Sequence, residues 1–377
     1  MECGVVSSGT YPVIIQVLIP FAAAGVEPDK VQLWPQLFCL SMIAVLCVAY
    51  IVAQLGNTRG GLRFFHVLCP PRRPRITPWG ISVIAPVLLI FLLMPTLPYW
   101  IITQVFPGPL DFLQHDTAAI ENVPTDDEID IEMFKPLTQE ELAEQHPLTI
   151  LIQKSGRNPL VILVCFLTAV IVAPLSEELV FRVVMQCGIE STLRRELGHT
   201  AWGRLPVLVT AMFFASIHFR LPTQPEIDQQ YIDQLFKMMT ATMIGNLITV
   251  AVVIVIFRSF YRIRWSDVGL WEGATLLRPA TVRRIGRDAL GALFLFLMII
   301  IPVRIVNVAV GTFAKSDWAA ARGISASMVD PIPLFLFALV IGTLYYRTRR
   351  FASVFFLHAF FNLFGFLFLM YLTFRIN

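Results

Sequence analysis

The chain is short of charge. Only 15% of its 377 residues are Asp, Glu, Lys or Arg, where an average soluble protein carries about 25%. With 56% hydrophobic residues and a mean hydropathy of +0.70, it has too little polar surface for a water-soluble globule or a disordered chain. Cysteine is scarce as well. Cys3, Cys39, Cys47, Cys69, Cys165 and Cys187 show no C-x-x-C spacing, and several fall inside apolar runs. That excludes a disulfide framework or a zinc knuckle. No Lys or Arg precedes the first apolar stretch, so Ala22-Ala23-Ala24 reads as part of a first membrane segment rather than a signal-peptidase site. A net charge of +3 is too mild to point to nucleic acid. What remains is an all-α, polytopic membrane helix bundle, with room for at most about ten spans of about 20 residues each.

Apolar runs occur at 5–26, 34–55, 79–106, 158–175, 205–219, 237–257, 289–311, 332–346 and 352–374. The segment 158–192 reads either as one span or as a tight hairpin turning at Pro174, so about 8–10 membrane helices are expected. Charge sign alternates between the runs. Arg59, Arg63, Arg72, Arg73 and Arg75 fill one loop without any acid, and 258–287 is also arginine-rich. Arg194, Arg195 and Arg204 mark a third such loop, and Arg347, Arg349 and Arg350 precede the last run. Placing these loops in the cytoplasm gives an N-inside, C-outside chain.

The long connection 111–147 is acidic, with Lys135 as its only base, and Pro124 and Pro136 break any long helix in it. It reads as a solvated loop on the non-cytoplasmic side, or as a substrate-recruiting lid. Segments 34–106 and 237–311 share a layout of apolar run, arginine-rich loop and apolar run. Two hairpins under one positive-inside rule produce the same likeness without duplication.

Ionisable side chains at membrane depth cost about 2.5–3.5 kcal/mol each and are functional candidates by default. Few occur here: Glu177, Glu178 and Arg182 in one apolar run, His218 at the end of another, His358 and Asn362 in the last, and Arg304 with Asn307 late in 289–311. Glu178 and Arg182 are one helical turn apart in the favourable acid-before-base order. That leaves Glu177, about 100° around the helix, free to face elsewhere. Pro174 and Ser176 look like a helix start with Ser176 as N-cap, which would stabilise the Glu177 anion. His358 and Asn362 project from one face, as do Phe214 and His218. Two glutamates, two histidines and an asparagine are together hard to explain as packing alone. Arg304, near the outer end of its run, can snorkel to the interface.

Glu177-Glu178-x-x-x-Arg182, Phe214-x-x-x-His218 and His358-x-x-x-Asn362, in that order, resemble the CPBP family. This family comprises the CAAX-type prenyl endopeptidases and the bacteriocin-processing or immunity (ABI) proteins. Gly342-Thr343-Leu344-Tyr345-Tyr346-Arg347-Thr348 also looks like the family's lead-in to its last catalytic helix. The resemblance covers about 158–221 and 332–374. The division it implies is an N-terminal membrane part with the acidic loop at 1–157 and a catalytic core at 158–377, interrupted by an insertion at about 222–331.

What the resemblance implies is an intramembrane endopeptidase. Glu177 would activate water with His218, His358 and Asn362 would hold the oxyanion, and Glu178, Arg182 and Phe214 would support them. Hydrolysis needs just such a base and such donors. No Ser or Cys stands beside a His as a nucleophile, which argues against acyl-enzyme chemistry. The favoured reading requires no cofactor. Glu177, His218 and His358 would also make a His₂Glu zinc set, a metal-dependent version of the same protease. A transporter and a non-catalytic immunity or assembly protein are the competing readings from outside the protease class. The expected partners are the lipid bilayer and a membrane protein or lipidated peptide as substrate. The expected location is the bacterial inner membrane, with a topology that an endoplasmic reticulum protein would share.

Overall fold

The computed structural model describes residues 30–56, 77–108, 110, 147–154, 158–197, 204–219, 228–262, 279–314 and 331–376. The first apolar run, the 57–76 loop and the acidic 111–146 stretch lie outside the described residues. Every described element is helical: α1 (Lys30–Gly56), α2 (Ile81–Leu93), α3 (Thr96–Val105), α4 (Pro147–Lys154), α5 (Pro159–Leu197), α6 (Leu205–Ile217), α7 (Gln229–Ser259), α8 (Pro279–Ala314), α9 (Pro331–Thr348) and α10 (Phe351–Ile376). Among the described residues, six helical stretches are long and apolar enough to cross a membrane: Ile81–Val105, Pro159–Leu197, Gln230–Ser259, Thr281–Ala314, Pro331–Thr348 and Phe351–Tyr371. Two shorter apolar helices, Cys39–Leu55 and Leu205–Ile217, lie in the same bundle. The protein is an integral, multi-pass helix bundle.

Packing follows chain chemistry. The main core joins α1, α2, α5, α6, α7, α8, α9 and α10 through side chains such as Val48, Val87, Phe181, Phe214, Phe257, Ile299, Phe337 and Leu357. A second cluster around Leu151, Cys165, Phe236 and Phe366 ties α4 and α7 to the start of α5 and the far half of α10. Helix α8 lies along α10 and α1, and α7 along α3. At the α7–α3 crossing, a Cβ on Gly245 would stand 2.7 Å from backbone atoms of Pro95, the close approach that small residues permit between membrane helices.

The segment around Pro174 is one continuous helix, not a hairpin. Pro159–Leu197 runs through two π-helical stretches, Leu167–Val172 and Leu179–Gln186, with Ala173–Glu178 between them. A proline inside a membrane helix is accommodated by such local widening. Ser176 is therefore not an N-cap: its hydroxyl donates to the Ala173 carbonyl in mid-helix (3.0 Å). The expected stabilisation of Glu177 by a helix start lapses with it, because the first turn of this helix lies at Pro159.

Helices α9 and α10 are joined by only Arg349 and Arg350, with Arg349 in the left-handed region (φ 50°). Such a backbone costs a non-glycine residue about 1–2 kcal/mol, and buried ion pairs hold it in place. Arg349 pairs with Glu190 of α5 and Arg350 with Asp288 of α8, while Arg347 donates to the Leu55 carbonyl of α1. By sequence these arginines count as loop charges; here all three are buried.

Candidate active site

The site is built where α5, α6 and α10 meet. Glu178 is fully buried and accepts twice: its Oε2 from Arg182 Nε at 3.0 Å, and its Oε1 from His358 Nδ1 at 2.8 Å. Since a carboxylate accepts, the proton between them belongs on His358 Nδ1. The other ring nitrogen, Nε2, faces Glu177 Oε2 at 3.7 Å. His358 thus stands between the two adjacent glutamates. Glu177 is the more open of the pair, with 15% of its side chain exposed against none for Glu178.

Phe214 organises the aromatic side of the site. Its ring, buried in the core, lies 4.6 Å from that of His218 and 5.8 Å, edge to face, from that of His358. It also meets Phe181 at 5.4 Å, and the Arg182 guanidinium lies 5.7 Å from its centroid. Phe337 closes over the other side of His358 at 5.6 Å. His218 sits just past the last turn of α6, half-buried, with Nδ1 2.7 Å from the Phe214 carbonyl. A carbonyl only accepts, so Nδ1 carries a proton, and in the neutral ring Nε2 is then the nitrogen with the lone pair.

Asn362 is placed by a missing donor. In the first π stretch the Ala173 N–H bonds back to the Thr168 carbonyl, five residues earlier. The next bond in that pattern would run from residue 174 to Ala169, but Pro174 has no N–H. The Ala169 carbonyl is left open, and Asn362 Nδ2 donates to it at 2.8 Å. One N–H of the amide is held this way and the second stays available. The proline that by sequence suggests a helix boundary is therefore what docks Asn362 beside the helix of the two glutamates.

Several contributors carry no signal at the level of motif spacing. Gln186, one turn beyond Arg182 and fully buried, donates to the Gly342 carbonyl of α9 (3.0 Å). A Cβ on Gly342 would lie 3.0 Å from Val207 and 3.4 Å from Arg182 Nη1. This explains why the lead-in to the last helix carries glycine there. The indole of Trp79 donates to the Val184 carbonyl within the second π stretch (3.2 Å). Gln186 was findable as a polar residue at membrane depth; the carbonyl contacts were not.

Ser216 is exposed and bonds to the Met212 carbonyl of its own helix, so it does not serve as a nucleophile paired with His218. Among the described residues no group of three or more His, Cys, Asp or Glu side chains is arranged to hold a metal ion. Chemically, the arrangement offers a half-buried carboxylate, an imidazole whose Nδ1 is committed to a carbonyl, and imidazole and amide donors, where α5, α6 and α10 meet. No curated protein and no solved structure matches the chain. The model of the type II CAAX prenyl endopeptidase Rce1-like family matches residues 159–364. That is more than half of the chain and spans every residue just described in α5, α6 and α10. The chain belongs to this family and is a hydrolase, a membrane-embedded protease of the CAAX type.

Proposed function

We propose that the protein hydrolyses a peptide bond near the C-terminus of a lipidated, CAAX-type protein, using water activated by Glu177. The observation that carries this reading is His358 held at Nδ1 by buried Glu178 and turned at Nε2 toward Glu177. The 3.7 Å separation between Nε2 and Glu177 Oε2 is too long for a direct hydrogen bond, so both groups remain available to water and substrate.

The steps follow from the donors and acceptors. A water between Glu177 and His218 gives its proton to the carboxylate as it attacks the scissile carbonyl, and the lone pair on His218 Nε2 orients it. The developing oxyanion takes hydrogen bonds from His358 Nε2 and from the free N–H of Asn362. To donate from Nε2, His358 carries both ring protons, a cation flanked by Glu178 and Glu177. Glu177 then returns its proton to the leaving amine. Glu178, Arg182 and Phe214 touch neither water nor substrate here; they fix His358.

In the zinc-dependent version, Glu177, His218 and His358 would be the ligands and the ion would polarise the water. The donor set favours the metal-free version. Asn362 is a poor zinc ligand but a good oxyanion donor, whereas the Nδ1 bonds of the two histidines leave Nε2 free and suit either version. We also propose that 158–377 forms the catalytic core and that 1–157 and 222–331 shape substrate access.

The test is to incubate the full chain in detergent with a farnesylated CAAX peptide and its unprenylated twin, with products identified by mass spectrometry. The expected result is release of the terminal tripeptide from the prenylated form. An intact prenylated peptide would overturn the reading.

A further inference from the structure

Outside the site, one arginine at membrane depth rests on aromatic rings rather than on a carboxylate. Arg304, on α8, lies within a membrane-spanning helix, and among the described residues no carboxylate pairs with it. Its Nε is buried without a hydrogen-bond partner. The guanidinium instead rests on two aromatic rings of α10, 5.9 Å from the Phe361 centroid and 5.5 Å from that of Phe364. A Cβ on Gly365 would be 3.7 Å from its Nη2. It is therefore packed along α10 rather than turned away to the membrane surface. Cation–π contact offsets only part of the cost of a charge in hydrocarbon, and an unpaired membrane cation is a default functional residue. Among the described residues, Arg182 is paired with Glu178, Lys237 with Asp233, Arg349 with Glu190 and Arg350 with Asp288, and Arg347 donates to the Leu55 carbonyl.

We propose that Arg304 binds the free C-terminal carboxylate of the substrate. This rests on the CAAX-type reading, in which the scissile bond follows the lipidated cysteine and three residues end in an α-carboxylate. That carboxylate is the one charge every such substrate carries close to the cleaved bond. Reach agrees. Three extended residues span about 10 Å. The rings that carry Arg304 belong to residues immediately before and two after Asn362. They lie within about one 5.4 Å turn along α10 and about 100–160° around it, so the carboxylate end must pass partly around the helix to reach the guanidinium. A guanidinium is the side chain that matches a carboxylate with two parallel hydrogen bonds. A substrate backbone held at His358 and Asn362 would carry its carboxylate toward the guanidinium that rests on the Phe361 and Phe364 rings. Arg304 then sets which end of a chain is cut, and the anion neutralises it only in the complex.

The experiment compares a farnesylated CAAX peptide with a free C-terminal acid and the same peptide as C-terminal amide, using full-length wild type, Arg304→Gln and Arg304→Lys. Wild type should favour the acid by about 10- to 100-fold in kcat/KM, mostly through KM, the range expected of a charge-assisted hydrogen bond. Arg304→Gln should cleave both peptides alike, at the rate wild type shows with the amide. Arg304→Lys should retain part of the preference, which keeps the test open if the glutamine variant does not fold. Two results would overturn the proposal: equal use of acid and amide by wild type, or an equal loss on both peptides in Arg304→Gln, the signature of a structural role. If wild type cleaves neither peptide, the CAAX reading fails and this inference fails with it.

Discussion

Glu177 and Glu178 are neighbours in sequence with opposite expected sensitivities, so replacing each by glutamine separates chemistry from support. Glu178 accepts from Arg182 on one oxygen and from His358 on the other, with all three groups buried. A glutamine has one acceptor oxygen, so one of the two donors loses its partner whichever way the amide turns. Arg182 would be left as a buried cation whose Nη1 and Nη2 already lack hydrogen-bond partners. Breaking a buried pair from one side costs about 3–5 kcal/mol. Among the described residues Glu177 makes no hydrogen bond, and its charge contact is the 3.7 Å approach to His358, so its replacement should change stability by less than about 1 kcal/mol. Its loss as general base should still lower kcat by about 10²- to 10⁴-fold. The assay is denaturant unfolding in detergent beside peptide cleavage, for both variants. Glu178→Gln should be clearly destabilised and slow; Glu177→Gln should be as stable as wild type and inactive. A stable Glu178→Gln, or an active Glu177→Gln, would refute the assignment of roles.

Pro174→Ala restores an N–H that can bond to the Ala169 carbonyl, displacing the Asn362 amide from it. The expected outcome is an unfolding midpoint at or above wild type with kcat reduced about tenfold or more, toward that of Asn362→Ala; unchanged kcat would contradict it. Gly245→Ala places a Cβ 2.7 Å from the Pro95 backbone, which cannot rotate away, and should cost about 1–3 kcal/mol in an unfolding measurement. Its folded fraction should retain wild-type kcat. If the metal-free reading holds, chelation leaves kcat/KM within about twofold of the untreated enzyme; stoichiometric zinc that tracks activity would sink it.

The helices were legible because membrane spans are written as long apolar runs, and each run within the described residues is helical. Their extents were less so: 79–106 divides into α2 and α3, and the runs at 158–175, 237–257 and 289–311 continue well past their apolar limits as α5, α7 and α8. The positions of Glu177, Glu178, Arg182, Phe214, His218, His358 and Asn362 were legible from scarcity and one-turn spacing. Their grouping in space was not. The Glu178–His358 contact joins residues 180 apart in sequence, and local periodicity has no access to such a pairing. Pro174 misleads because a proline alone looks the same at a helix start and at a π stretch. The difference lies in whether another side chain covers the carbonyl it leaves open. The charges of Glu190, Asp288, Arg349 and Arg350 look solvated because they flank apolar runs. Their burial depends on partners 62 and 159 residues away.

The most direct test of the central claim is a time course of tripeptide release from a farnesylated CAAX peptide by the purified full chain, beside Glu177→Gln and His358→Ala. The account predicts cleavage after the lipidated cysteine by wild type and none above background by either variant. Equal cleavage by all three proteins would contradict it.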